Sequence, residues 1–490
     1  MNFTRDVLER SPPDSLALLE LTRAGGRREW TFGEVSAAAA GLAGTLAARG
    51  VRRGDVVMTL IGNRPEWALA MLACFRIGAV ALPCTEQLRA KDLALRIDVA
   101  RPALILADER NRAELERAGG DAQVLLVPDE RILAGSPAPI AELEASDPCL
   151  ITFTSGTAGE PKAVVHAQRY LGGQRLQAEH WLAPQPGELV WCTAASGWSK
   201  SARNVFIAPW LRGAAALLHD ARFDPHERLE VLERERVGVL CMAPTEYRVI
   251  AKRTTLRALP DVRGMVAAGE ALNPEVLRAW EDVTGRQIRD GYGQTETGQM
   301  TGTPAHERAR PGSMGRALPG VELAVRDGEL FAAPASVPTF FLGYLGEQVT
   351  RADARWQVED RALGDSWATA DRVHRDDDGW LYFEGRGDDV IVSAGYRIGP
   401  FEVESALVAH PAVAEAAAVA APDEERGAVV RAVVVLADRE REPTPELVRE
   451  LQEHVKRETA PYKYPRIIDF ADELPKTASG KIKRAQLRDV

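Results

Sequence analysis

The residues of this chain whose types and spacing could do chemistry fall in four short stretches. In ITFTSGTAGEPKAVVH an apolar run enters a segment of Thr154, Ser155, Gly156, Thr157, Ala158, Gly159, Glu160 and Pro161, ends at Lys162 and resumes as apolar residues. A loop dense in hydroxyls and accessible backbone N–H groups, set between two strands, is what gripping a phosphate requires. It is not a Walker A loop, because Gly156 and Gly159 stand too close and Lys162 is followed by Ala163. Taken alone, it also reads as an ordinary Gly/Ser hairpin turn. In DGYGQTETGQ, Asp290, Gly291, Tyr292, Gly293, Gln294, Thr295 and Glu296 follow an apolar strand. They offer hydroxyls to a phosphate and a carboxylate to Mg²⁺, which takes oxygen ligands jointly from protein and phosphate. In ATADRVHRDDDGWLYFEGRGDDVIVSAGYR, Asp371 could accept hydrogen bonds from vicinal ribose hydroxyls, and Arg386 and Arg397 present planar forks suited to ribose and phosphate oxygens. By composition alone the same stretch is a solvated acidic turn followed by a surface turn.

The fourth stretch, LPKTASGKIKRAQLR, stands out by its lysines. The chain has nine lysines against 52 arginines, and five of the nine, Lys456, Lys463, Lys476, Lys481 and Lys483, lie beyond position 450. Such a bias points to a need for an ammonium in the tail.

Elements capable of positioning these residues can be read from patterning. At 490 residues and 45% hydrophobic content the chain exceeds a single core, so two or more domains are expected. TFGEVSAAAAGLAGTLAARG opens with a capping box (Thr31, Glu34) and stops at Gly50, and GDVVMTLIG follows as a strand. PEWALAMLACFRIG reads as a helix and AVALPC, PALILAD, VGVLCMAP and RGMVAAGE as strands, the last leading through Asn273-Pro274 into a helix. This β-α alternation implies parallel sheets covered by helices. Between Pro304 and Trp367 the signal is mixed. EGRGDDVIVSAG then reads as a connection into a small α+β unit with helices over PFEVESALVAHP and TPELVRELQEHVKRET and strands over AEAAAVAAP and AVVRAVVVL.

Composition narrows the class. A net charge of −10 without a long basic run argues against nucleic acid. No apolar stretch reaches the ~18–20 residues of a membrane span and MNFTRDVLERSPPD lacks a signal-peptide core, so a soluble cytoplasmic protein is expected. Cys74, Cys84, Cys149, Cys192 and Cys241 stand singly in mostly apolar surroundings with no zinc-type spacing, and read as buried, reduced core residues.

TSGTAGEPK, GYGQTET, Asp371 with GRGDD, and PKTASGK occur in this order, and the set resembles the adenylate-forming superfamily of acyl-CoA synthetases, firefly luciferase and peptide-synthetase adenylation domains. GWSKSARNVFIAPWLRGA, YGQTET, SAGYRIGPFEVESAL, PYKYPRIIDF and LPKTASGKIKRAQLR are most similar to medium-chain acyl-CoA synthetases. The resemblance implies an α/β protein with a large N-terminal domain of β-sheets layered with helices (1–386), a small mobile α+β C-terminal domain (387–490) and an active site between them. The reaction implied is attack of a carboxylate on the ATP α-phosphate to give acyl-adenylate and pyrophosphate, then thioester formation with coenzyme A and release of AMP.

By the same resemblance, Thr154 to Lys162 cradle the β- and γ-phosphates, Gly269, Glu270 and Ala271 flank adenine, and Asp290 to Thr295 line the nucleotide, with Thr295 on the α-phosphate. Glu296 holds Mg²⁺, Asp371 and Arg386 hold ribose, and Arg397 approaches the adenylate phosphate. Lys481 bridges substrate carboxylate and α-phosphate, while Lys476 and Lys483 suit a solvated basic tail. Ala394, Gly395 and Tyr396 would border the pantetheine, and Arg426, Tyr464, Pro465 and Arg466 the nucleotide end of coenzyme A. Asp388 matches the hinge about which the C-terminal domain turns. Ala158 and Ala370 depart from the pattern, standing where Ser or Thr and Gly are usual. In acetyl-CoA synthetases tryptophan matches Gly293, so a deeper acyl pocket is expected here, favouring a medium-chain or aryl acid over acetate unless a tight turn requires Gly293 and Trp198 fills the space. The partners implied are a small carboxylic acid, ATP and coenzyme A, acting on a monomer or homodimer. Rival readings are an acyl-AMP ligase serving a carrier protein and a degenerate nucleotide-binding member.

Overall fold

The computed structural model describes residues 2–154, 161–269, 272, 274–352, 354–359, 364–387, 389–393, 396–423, 425–438, 440–477 and 482–488, with Arg397 described by its backbone. The strand–helix alternation of the first half builds two seven-stranded sheets. One runs Gly343–Tyr344, Ala163–Ala167, Pro148–Phe153, Val80–Cys84, Val56–Leu60, Leu104–Asp108, Gln123–Val127. It is parallel from Pro148–Phe153 onward and antiparallel at the opposite edge. The other runs Ile288–Gly291, Gly264–Ala268, Val239–Met242, Leu189–Cys192, Ala215–His219, Leu16–Leu21, Arg27–Thr31, and only its last pair is antiparallel. Strands such as Val56–Leu60, buried at every residue, need cover on both faces, which is why they read as continuous apolar runs.

The helix Pro65–Ile77 explains how the two sheets face each other. It is buried around nearly its whole circumference, the signature of a helix enclosed by protein, and it ends on a left-handed Gly78. Its core takes Val57, Ala81 and Leu104 from one sheet and Ala17, Val190 and Val239 from the other. The helix Phe32–Ala48 packs into the same core through Val35, Leu42 and Leu46. At its start Thr31 Oγ1 accepts from Glu34 N (3.2 Å) and Glu34 Oε2 accepts from Thr31 N (2.8 Å), the capping box read from the sequence. The mixed stretch after Pro304 contributes to an antiparallel sheet of Leu323–Arg326, Glu329–Ala332, Trp367–Arg375 and Leu381–Arg386.

The C-terminal unit has its own core, around Val403, Leu407, Val430 and Leu451. The helix Pro400–Ala409 and the helix Pro445–Glu458 pack against a hairpin of Val413–Asp423 and Gly427–Leu436, and a third strand, Ile467–Phe470, runs parallel to its second arm. Removing the N-terminal cap of the first helix by Thr31→Ala should lower stability by about 1 kcal/mol in urea unfolding, with an unchanged midpoint counting against the cap.

Candidate active site

The carboxyl ends of the parallel strands, the four-stranded sheet and the C-terminal unit surround a cleft of about 2340 Å³. Asp290, Gly291, Tyr292, Gly293, Gln294, Thr295 and Glu296 all line it, as do Thr154, Pro161, Lys162, Trp198, Gly269, Asp371 and Arg386. Strand ends in open α/β sheets are where ligand crevices form. Ser155 to Glu160, Glu270, Ala271, Asp388, Ala394, Gly395, Lys481 and the Arg397 side chain lie outside the described residues.

Asp371 is the centre of the site's polar network. Its side chain sits on the strand Trp367–Arg375 and the residue is 4% exposed, so its carboxylate must find donors. Tyr292 Oη donates to Oδ2 at 2.5 Å, Gln294 Nε2 to the same oxygen at 2.8 Å, and Arg386 Nη1 to Oδ1 at 3.3 Å. Gln294 is itself fixed, donating to the Thr369 carbonyl (2.8 Å) and accepting from Trp367 Nε1 (3.1 Å). Burial, then the adjacent Asp371 carboxylate, push the Tyr292 phenol well above its usual value, so it remains a donor. Asp290 lies at the end of its strand beside Lys200, and desolvation holds its carboxyl well above the ordinary carboxylate range.

Around the phosphate-type loop the described ends are already joined: Thr154 N donates to the Lys162 carbonyl and Lys162 N to Thr154 Oγ1, both at 2.9 Å. Lys162 Nζ reaches Glu347 Oε1 at 2.8 Å and lies 4.7 Å from the Tyr344 ring centre. Both partners of this ion pair are about half exposed, so the pair is weak and an anionic ligand can displace Glu347. Glu296 accepts from Tyr344 Oη at 2.8 Å. Among the described residues no three His, Cys, Asp or Glu side chains form a metal cluster. A single carboxylate such as Glu296 fits Mg²⁺, which is commonly held by one or two carboxylates plus substrate oxygens.

Two glycine-related expectations change on inspection. Gly293 pairs with Gln299 in a tight hairpin with Gly298, and a Cβ at 293 would come within 1.9 Å of the Gly298 carbonyl oxygen. The glycine is therefore required by close backbone approach. A tryptophan there would break the hairpin before it measured pocket depth, so Gly293 is not a clean site for testing the pocket floor. At position 370 the usual glycine is also explained: Ala370 has φ +57°, a left-handed conformation costing an L-residue roughly 1–2 kcal/mol.

The C-terminal unit meets the cleft through Phe401, Glu404, Val408 and Glu415. Lys252 of the N-terminal domain donates to the carbonyls of Val408 (2.8 Å) and Val413 (2.7 Å) across the boundary. On either side of the segment holding Lys481, Lys476 and Ile482 pair as an antiparallel bridge, and both line the cleft. Lys476 is not simply solvated, because its Nζ pairs with Glu415 at 2.5 Å. The residues matched to coenzyme A stand apart: Tyr396 is exposed and stacked on Tyr462 (4.4 Å), and Arg426 N donates to Asp423 Oδ1 at 2.9 Å. Arg466 lies 5.2 Å from the Tyr464 ring centre, and Pro465 accepts from Gln452. Tyr396, Arg426, Tyr464, Pro465 and Arg466 do not line the cleft.

Sequence reasoning missed Lys200, Tyr344 and Arg203. Lys200 Nζ donates to the Ala268 carbonyl at 3.0 Å beside Gly269, and its rarity as one of nine lysines was the available signal. Tyr344 and Arg203 carried no local signal.

The AMP-binding enzyme family model matches residues 4–345, and that of the AMP-binding enzyme C-terminal domain matches residues 402–481. The chain belongs to the AMP-binding enzymes. This AMP-binding enzyme is 38% identical to the uncharacterized acyl-CoA ligase YtcI of Bacillus subtilis, over 96% of this chain and 92% of that protein. It is 37% identical to the mitochondrial acyl-coenzyme A synthetase ACSM4 of Homo sapiens, over 100% of this chain and 90% of that protein. Among solved structures, a benzoate CoA ligase from Burkholderia xenovorans LB400 superimposes with a TM-score of 0.87 at 28% identity, covering 100% of both chains. The α/β fold with a smaller C-terminal domain is shared with that structure.

The Asp371 network makes a direct prediction for this AMP-binding enzyme. Tyr292→Phe leaves a buried carboxylate short of one donor and should cost about 1.5–3 kcal/mol in denaturant unfolding; a loss below about 0.5 kcal/mol would show that Asp371 does not depend on that phenol.

Proposed function

We propose that this AMP-binding enzyme is an acyl-CoA synthetase that activates a medium-chain or aryl carboxylic acid with ATP and Mg²⁺, through an acyl-adenylate, and transfers the acyl group to coenzyme A. One observation carries the reading: Lys476 and Ile482, flanking Lys481, line the same cleft as Thr295, Glu296, Asp371 and Arg386. The relatives named as acyl-CoA ligases and synthetases support coenzyme A, rather than a carrier protein, as acceptor.

In the first half-reaction two anions must meet, so the protein's work is positioning and charge neutralisation. Asp371 and Arg386 hold ribose, Thr295 contacts the α-phosphate, Lys162 and the Thr154–Lys162 loop hold the outer phosphates, and Glu296 holds Mg²⁺. Mg²⁺ supplies charge neutralisation when bound. Lys481 brings the second cation to the point where carboxylate and α-phosphate meet. The second half-reaction needs the C-terminal domain, taken as 387–490, to turn about Asp388. Lys481 then leaves, and Tyr396, Arg426, Tyr464, Pro465 and Arg466 come to the cleft with coenzyme A, while Arg397 approaches the adenylate phosphate. The arrangement seen, with the Lys481 flanks inside and Tyr396 and Arg466 outside, fits the first half-reaction.

The preference for a larger acid is supported by the benzoate CoA ligase among the solved structures the chain resembles, with Trp198 in the cleft wall. Each additional buried CH₂ is worth about 0.8 kcal/mol before ordering losses. A cytoplasmic monomer or homodimer is part of the same proposal. All five cysteines are free and buried, and no described helix is long and apolar enough to cross a membrane.

The half-reactions separate the roles. Lys481→Ala should lower acid-dependent pyrophosphate release at least about a thousandfold while leaving thioester formation from supplied acyl-adenylate within about threefold. Equal losses in both would contradict the division of labour.

A further inference from the structure

Arg203 enters the cleft wall from the helical turn Arg203–Ile207. The residue is 4% exposed, and its Nε and Nη1 have no hydrogen-bond partner. No carboxylate among the described residues forms an ion pair with it. Beside it lie the Tyr170 phenol, which accepts a hydrogen bond from its guanidinium, the Cys241 thiol and His166, whose tilted ring has its centre 4.0 Å from that of Tyr170. Burial first, then the Arg203 charge, push His166 down to about 3, so the imidazole is neutral near pH 7. A guanidinium cannot shed its proton, and a buried charge left unpaired costs several kcal/mol. A cation kept in such a position is matched by an anion that arrives with a ligand.

The place of Arg203 says which anion. Its Nη1 lies against Gly298, 3.5 Å from where a Cβ would stand. Gly298 pairs with Gln294 in the stem of the hairpin whose tip carries Thr295 and Glu296. An anion at Arg203 therefore sits at the stem, apart from the tip where α-phosphate and reacting carboxylate meet. We propose that Arg203 receives a second anionic group on the acid, so that the preferred substrates are acids of medium length or aryl acids bearing a distal carboxylate. This rests on the acyl-CoA synthetase reading and adds the chemical class of its substrate.

Length-matched pairs test it: hexanoate against adipate, octanoate against suberate, and benzoate against terephthalate, each followed by thioester formation in the whole enzyme and by the rise in Tm the acid alone produces. The wild type should favour the dicarboxylate of at least one pair by tenfold or more in kcat/KM. Arg203→Met should cut that dicarboxylate about a hundredfold or more and leave its monocarboxylate partner within about threefold. Arg203→Lys should restore part of the loss. Without ligand the methionine variant should melt no lower than the wild type, since an unpaired buried charge has been removed, and the Tm rise caused by the dicarboxylate should disappear. Preference for the monocarboxylate in every pair, equal losses for both members, or a lower Tm for unliganded Arg203→Met would each overturn the proposal. Absence of thioester from all six acids, with the Tm rise by dicarboxylate intact and dependent on Arg203, would instead overturn the synthetase reading and leave the anion site standing.

Discussion

A carboxylate withdrawn from water must be given donors, and Asp371 is the carboxylate around which this site is assembled. Donors to it come from separate parts of the chain: Tyr292 and Gln294 from the segment following the edge strand Ile288–Gly291, and Arg386 from the strand paired with its own. Satisfying one charge thus fixes the edge of a parallel sheet, the Gly293–Gln299 hairpin and the four-stranded sheet relative to one another. The hairpin tip then presents Thr295 and Glu296 to the cleft, and the Gly293 backbone has no room for a side chain. Electrostatic stabilisation of a reaction depends on groups held in place beforehand, and this network supplies the holding.

Cations around the site differ in how firmly they are engaged. Lys162 is in a weak, half-exposed pair, Lys200 is on a backbone carbonyl, and Arg203 is buried with no acidic partner among the described residues. Lys252 is engaged across the domain boundary with two carbonyls of the C-terminal unit, and burial lowers its pKa. Any movement of the C-terminal unit away from Lys252 has to break those two bonds.

Much of this was legible in the sequence because the signals are local. Thr31 and Glu34 sit three residues apart and declare a helix start. Buried parallel strands such as VVMTL declare themselves by composition, and GYGQTET concentrates polar side chains in one short stretch that lines the cleft. The reason for Gly293 was not legible, because the atom that forbids a side chain belongs to Gly298 across a hairpin. The left-handed backbone of Ala370 falls where the pairing of its strand with Glu329–Ala332 shifts register, and the pairing of Tyr344 with Glu296 joins residues 48 apart. Arg203 looked like one arginine among 52, and only the fold shows it buried with no carboxylate paired to it among the described residues.

The central claim is that this cleft joins a carboxylate to the α-phosphate of ATP before coenzyme A is involved. Exchange of labelled pyrophosphate into ATP, with Mg²⁺ present and coenzyme A left out, measures that step alone. The account predicts exchange that appears only when a carboxylic acid is added and is stronger for six- to eight-carbon or aryl acids than for acetate. Exchange that proceeds without any acid, or that fails with every acid while ATP still binds, would contradict it.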